Sequence, residues 1–172
     1  MILVIVALAA IAALTVVRHG VSARETPTAT EAMLAGALRS MAIPRAAKAM
    51  KNPVPFSDAV MSEASAHWAD HCAPCHGLDG KGDTEMGRGL YPKTPDISDG
   101  SPDLGDGELF YIITNGVRLT GMPAWGDPRD SHSNEQTWHL VHFIRHLPRL
   151  TPAEREQLRK EKESDEEFLS GK

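Results

Sequence analysis

Cys72-Ala73-Pro74-Cys75-His76 is the stretch on which the reading of this chain turns. C-x-x-C-H is the attachment sequence for c-type haem: each thiol adds across one haem vinyl group and leaves a thioether. The histidine follows at once, so its ring is placed to bind the iron as the proximal axial ligand. Cys72, Cys75 and His76 are therefore the candidate cofactor-binding residues, with His76 a candidate iron ligand. Two other chemistries compete for the same residues. A structural zinc site needs four ligands. Cys72 and Cys75 are the only cysteines, so the pair would have to recruit histidines such as His71 or His76. A thioredoxin-like dithiol sits in a βαβ pattern, and no strand pattern is visible around this pair.

A low-spin electron-carrying haem has a second axial ligand, and methionine in that position raises the potential. Of seven methionines, Met122 is the best placed, within Leu119-Thr120-Gly121-Met122-Pro123-Ala124-Trp125-Gly126. Gly121 gives freedom of approach, and Pro123 fixes the following dihedral. Met1, Met33, Met41 and Met50 precede the haem region, Met61 reads as helix core, and Met86 lies in a loop only ten residues after His76. His139, His142 and His146 share one face of the last apolar helix. They read as a polar face, with a second metal site as the alternative.

Outward from the motif, the patterning is helical. Ser57 or Asp58 caps a helix with Val60, Met61, Ala64 and Trp68 at helical spacing, running directly into the motif. Residues 77–105 are rich in Gly, Pro and Asp and read as loop. Asp106 is expected to cap a short helix that ends at Gly116. Ser133-Asn134-Glu135-Gln136 matches a capping box opening a helix with Trp138, Val141, Phe143 and Ile144. Thr151-Pro152 starts a charged tail, expected to be a solvated or frayed helix. With no strand pattern or internal repeat, the class is all-α.

Ile2 to Val17 is apolar except for Thr15, and Arg18 and His19 end the run. Sixteen helical residues span about 24 Å, between the length of a signal-peptide core and that of a membrane span. The expected division is an N-terminal transmembrane anchor or signal segment over 1–19, a connector with short helices over 20–55, a haem domain over 56–148 and a charged tail over 149–172. Val21-Ser22-Ala23 resembles a cleavage site, so release near Ala23 is the alternative to an anchor. In the connector, Thr30 is expected to cap an amphipathic stretch from Glu31 to Met41. Arg45, Lys48 and Lys51 then form a basic side that faces solvent or anionic lipid. The formal charge of −5 argues against nucleic acid as a partner and suits a basic redox partner.

Residues from about Ser57 to Leu147 resemble a class I monohaem c-type cytochrome. The matching pieces are the helix into Cys72-Ala73-Pro74-Cys75-His76-Gly77, the Asp106 to Gly116 helix, Gly121-Met122-Pro123-Ala124-Trp125 and the closing helix containing Trp138. The resemblance implies a small helical domain wrapped around one covalent haem c, its first and last helices crossing near Trp68 and Trp138. It implies thioethers at Cys72 and Cys75, and axial ligation by His76 and Met122. The function it implies is one-electron transfer between a redox donor and acceptor, without enzymatic turnover. Because attachment through C-x-x-C-H takes place outside the bacterial cytoplasm, the haem domain is expected in the periplasm, held at the inner membrane. The alternatives are a haem enzyme or gas-binding protein with a labile sixth ligand, and a fixed electron-transfer subunit of a larger oxidoreductase.

Overall fold

The computed structural model describes residues 2–19 and 22–170, and the side chains among them except those of Val16, His19 and residues 164–170. In chain order the helices are α1 (Ile2–His19), α2 (Ala29–Ala42), α3 (Arg45–Ala49), α4 (Asp58–His67), α5 (Ala73–His76), α6 (Glu85–Gly89), α7 (Asp106–Asn115), α8 (Ser131–His146) and α9 (Pro152–Ser170). A π-helical turn, Trp68–Cys72, joins α4 to α5, and a 3-10 turn, Leu147–Arg149, follows α8. No strand occurs among the described residues, so the all-α class holds.

The core is organised around α8, because its sequence presents three different faces. At 100° per residue, Leu140, Phe143 and Leu147 fall on one side, Trp138, Val141 and Arg145 on a second, and His139, His142 and His146 on a third. The first face packs on the α4–π segment, where Trp68 and Phe143 lie with ring centroids 5.2 Å apart and both are fully buried. The second meets α7: Trp138 stacks on Phe110 at 4.2 Å. Trp68 thus meets α8 through Phe143, while Trp138 meets α7 through Phe110. Those two tryptophans serve different interfaces because positions 138 and 143 point about 140° apart on a helix. Below the stack, the Arg145 guanidinium donates to Asp106 Oδ1 from Nε at 3.0 Å and from Nη2 at 2.9 Å. It also donates to the carbonyls of Gly100 (2.8 Å), Ser101 (2.7 Å) and Leu104. One side chain thus satisfies three carbonyls of the loop entering α7 and closes that loop on α8.

The helix starts follow the side chains that can reach back to free amides. Ser57 caps α4, its Oγ accepting from Val60 N–H at 3.3 Å. α2 starts earlier than Thr30 predicts. Thr28 and Glu31 form a reciprocal capping box, Thr28 Oγ1 accepting from Glu31 N–H at 3.2 Å and the Glu31 carboxylate from Thr28 N–H at 3.4 Å. α8 likewise starts before Ser133. Asp130 caps it by accepting from His132 N–H at 3.0 Å, and Ser133 Oγ accepts from Asp127 N–H instead, at 2.9 Å. In α7 the cap position is Gly105, whose N–H donates to Glu108 at 2.9 Å, while Asp106 is occupied by Arg145.

Both flanking regions are tied to this body. Ala47 of α3 is buried against α7, where a Cβ on Gly107 would overlap the Ala47 carbonyl oxygen, so only glycine permits the approach. Lys48 reaches Glu108 at 3.6 Å, and Asn52 Nδ2 donates to the Trp138 carbonyl at 2.9 Å. The tail is a helix, as expected, but a docked one. Leu158 is 2% exposed, and Thr151 and Glu154 form a second capping box. Glu154 also pairs with His146 at 2.8 Å.

The N-terminal apolar stretch is helical, but among the described residues no helix is long and apolar enough to cross a membrane. Arg18 and His19 end the apolar part of α1 at about 24 Å, short of the ~30 Å hydrocarbon core of a bilayer. Its described large apolar side chains are exposed. Of the cleavage sequence expected at 21–23, Val21 lies outside the described residues.

Two substitutions test this packing by denaturant unfolding. Arg145→Ala should cost about 2–3 kcal/mol, because it strands three carbonyls and Asp106, and Arg145→Lys should restore only part, lacking the planar fork. Leu158→Ala should cost about 2–5 kcal/mol if α9 is part of the cooperative unit. Unchanged stability would show that the tail is not.

Candidate functional site

The C-x-x-C-H segment is shaped by the π turn before it. The Ala73 N–H bonds back to the Trp68 carbonyl, five residues earlier. That widened turn re-phases the helix by about one residue, and such turns concentrate at functional positions. Trp68 then becomes the pin of the site. Its Nε1–H donates to the Gly77 carbonyl at 3.1 Å, fixing the exit of the motif, and its ring lies 5.8 Å from that of His76.

The electrostatics of the three motif residues separate the competing chemistries. Burial pushes the Cys72 thiol up to about 12, with Cys75 beside it adding to the shift, and burial also raises Cys75. Both are protonated at neutral pH. A dithiol redox centre needs a lowered pKa on its attacking sulfur, so that alternative fits poorly. Among the described residues no group of three His, Cys, Asp or Glu side chains is placed to hold a metal ion. Burial holds His76 below the ordinary histidine range, so its ring is neutral and carries an available lone pair. His76 Nδ1 is buried without a hydrogen-bond partner. Two protonated thiols next to a neutral, incompletely satisfied imidazole are a donor set that fits covalent haem.

Two loops close over the motif. On one side α6 is fastened by Thr84, whose hydroxyl lies 2.8 Å from the Pro74 carbonyl and 3.1 Å from that of Cys75 and accepts from Gly87 N–H at 2.8 Å. On the other, the segment holding Met122 is tied to the end of α7. Val117 N–H donates to the Met122 carbonyl at 3.0 Å, and Trp125 N–H to the Ile113 carbonyl at 3.0 Å. Gly116, at φ +65°, permits this return, since a Cβ there would lie 2.5 Å from the Pro123 carbonyl carbon. The Trp125 ring meets His71 edge-on at 5.3 Å, which brings the methionine loop against the residue preceding Cys72. Met122 is half-buried and packs at the edge of the core, whereas Met86 on α6 is 56% exposed.

The third face of α8 is structural. His139 Nδ1 lies 3.2 Å from Glu63, His142 Nε2 is 2.8 Å from the Val54 carbonyl, and His146 pairs with Glu154. The three rings turn to α4, the connector and α9, so their spacing marks a polar seam and not a second metal site. His67, its pKa lowered by burial and by the neighbouring His71, stacks edge-on with that residue at 4.8 Å. Thr84 carries no motif signal in the sequence, whereas Trp125 belongs to the Gly121-Met122-Pro123-Ala124-Trp125 segment and gains its contact to His71 only in the structure.

The family model described as "Cytochrome C oxidase, cbb3-type, subunit III" matches residues 59–144, half of the chain. A cbb3-type cytochrome c oxidase subunit FixP from Sinorhizobium medicae (strain WSM419) is 35% identical over 79 residues, covering 43% of this chain and 25% of that protein. The subunit of the same name from Rhizobium meliloti (strain 1021) is 35% identical over 72 residues, covering 41% and 23%. The chain thus matches about a quarter of the length of these relatives.

Thr84→Val keeps the shape of the side chain but removes the hydroxyl that serves three backbone groups. It should destabilise the fold by about 1–3 kcal/mol and speed hydrogen exchange at the Gly87 amide. An unchanged Gly87 amide would show that α6 is held by other contacts.

Proposed function

Because the chain belongs to the family of subunit III of the cbb3-type cytochrome c oxidase, we propose that it carries single electrons within such an oxidase complex, through one c-type haem held by Cys72, Cys75, His76 and Met122. The observation that carries this reading is the C-x-x-C-H segment itself, placed at the end of a re-phased helix with protonated thiols and a neutral His76 whose Nδ1 is buried and unpaired. A single such motif accounts for one haem. When bound, the haem supplies a one-electron ferric/ferrous couple.

The residues of the chain do the rest. Cys72 and Cys75 fix the group covalently, so it is retained through repeated cycling. Trp68 locks the turn that carries His76 and fills the space behind its ring, excluding water from that side. The return of the 117–126 segment onto His71 supports Met122 as the sixth ligand, and the exposure of Met86 makes it the poorer choice. With His76 and Met122 both holding the iron, no position would be left for substrate, which would separate this reading from an oxygen-activating or gas-binding protein. The relatives are named as oxidase subunits, which favours a fixed electron-transfer subunit over a freely diffusing carrier. The redox donor and acceptor are then neighbouring proteins of the complex. The haem domain works in the periplasm, and the exposed apolar part of α1 holds the chain at the membrane.

Acid–acetone extraction should leave the pigment on the polypeptide, and complete extraction of haem would end the reading. In the oxidised protein, Met122→Ala should abolish the weak far-red band of methionine-ligated ferric haem and open the iron to carbon monoxide on reduction. Met122→His should keep a six-coordinate spectrum at a lower potential. Loss of the band in Met86→Ala but not in Met122→Ala would reassign the ligand.

A further inference from the structure

α2 carries an apolar stripe that the protein leaves uncovered. Met33, Leu34, Ala37, Leu38 and Met41 fall within about 140° of the helix circumference, and the four large ones are 54–73% exposed. The orientation is set by the two polar residues bordering the stripe. Glu31 accepts a hydrogen bond from Tyr91 at 2.6 Å, and Ser40 one from Lys48 Nζ at 3.3 Å. Both turn toward the body. Opposite the stripe lie Ala32, Ala35, Gly36 and Arg39, and a Cβ on Gly36 would meet nothing within 4 Å, so the helix is held to the body by these side-chain bonds and not by close packing. The stripe itself is uncovered.

Two further observations say what it faces. First, charge is segregated along the chain. Residues 1–51 hold six Lys or Arg and two Asp or Glu, a net +4, while residues 52–172 hold twelve and twenty-one, a net −9. Second, α2 follows α1, whose run from Ile2 to Val17 is apolar except for Thr15, after nine residues, a reach of at most about 30 Å, so it cannot leave the neighbourhood of whatever α1 enters. The geometry points to α2 as an interfacial helix, lying in the headgroup region of an anionic bilayer with Met33, Leu34, Leu38 and Met41 inserted, and this rests on α1 holding the chain at the membrane as proposed above. Basic charge beside an amphipathic helix is the pattern that binds anionic lipid surfaces. A second copy of the chain is a poorer occupant: one stripe on a helix about 21 Å long falls well short of the ~800 Å² per partner that a stable interface needs. The acidic haem domain, repelled by the same surface, is held off it, and Tyr91 and Lys48 fix the angle at which it stands.

The test uses the full holoprotein, one copy per nanodisc containing phosphatidylglycerol. With Cys72 and Cys75 consumed by haem attachment, a cysteine introduced at positions 32 to 41 is the only thiol and takes a nitroxide spin label. Accessibility to oxygen relative to a water-soluble nickel chelate should be several-fold higher at 34, 38 and 41 than at 32, 36 and 39. Nickel-dominated accessibility at every position would show a solvated helix and overturn the inference. Low accessibility to both reagents along the stripe would show a protein contact and overturn it equally. In Leu34→Ser/Leu38→Ser, the label at 41 should move to nickel-accessible while the chain still resists extraction by carbonate. Carbonate extraction of the unsubstituted chain would instead remove the α1 anchor from which α2 is positioned, a failure read separately from the label profile.

Discussion

The contact between Trp68 and Phe143 is the interaction on which the rest of the molecule depends. Trp68 stands where α4 widens into a π turn, and Phe143 comes from the last turn of α8. Their burial joins the ends of the domain in sequence, which no local contact can do. The same indole then reaches forward to the Gly77 carbonyl and lies against His76. Packing energy and site geometry are thus delivered through one side chain. The rest of the core is largely small and aliphatic, and its other aromatic pair, Phe110 and Trp138, lies between α7 and α8.

What was legible in the sequence follows from how local each signal is. The all-helical class, the helix leading into Cys72 and the glycine stop at Gly116 rest on periodicity and on cap chemistry within a few residues, and they stand in the structure. The family comparison supports the c-type cytochrome reading that five adjacent residues carried. Helix starts at Thr28 and Asp130 were displaced because several capping residues cluster at each site, and tertiary partners decide among them. Ser133, for example, serves Asp127. Arg145 and Thr84 left no trace in the sequence, since their partners are backbone carbonyls of segments distant along the chain or in loops.

The same logic explains why the docking of the two flanks is not legible in their sequence. The charge pattern of α9 reads as a solvated helix because nearly every position is polar, yet one leucine, Leu158, is enough to seat it beside Met61, Phe143 and Leu150. α3 is five residues long and docks through Ala47, where the contact relies on the absence of a side chain on Gly107. A contact made through a missing atom has no hydrophobic signature. Both segments extend the helical body beyond the region matched by the family model, at 59–144.

The three faces of α8 bear on how this protein tolerates change. One rod contacts α7, the α4–π segment, the connector and α9, so a substitution on any face that tilts the rod is felt on the others. Free-energy effects of paired substitutions add when sites are independent and fail to add when a shared element couples them. Combinations within α8 are therefore the place where epistasis should concentrate. Drift along this helix would proceed by compensated sets of residues rather than one position at a time.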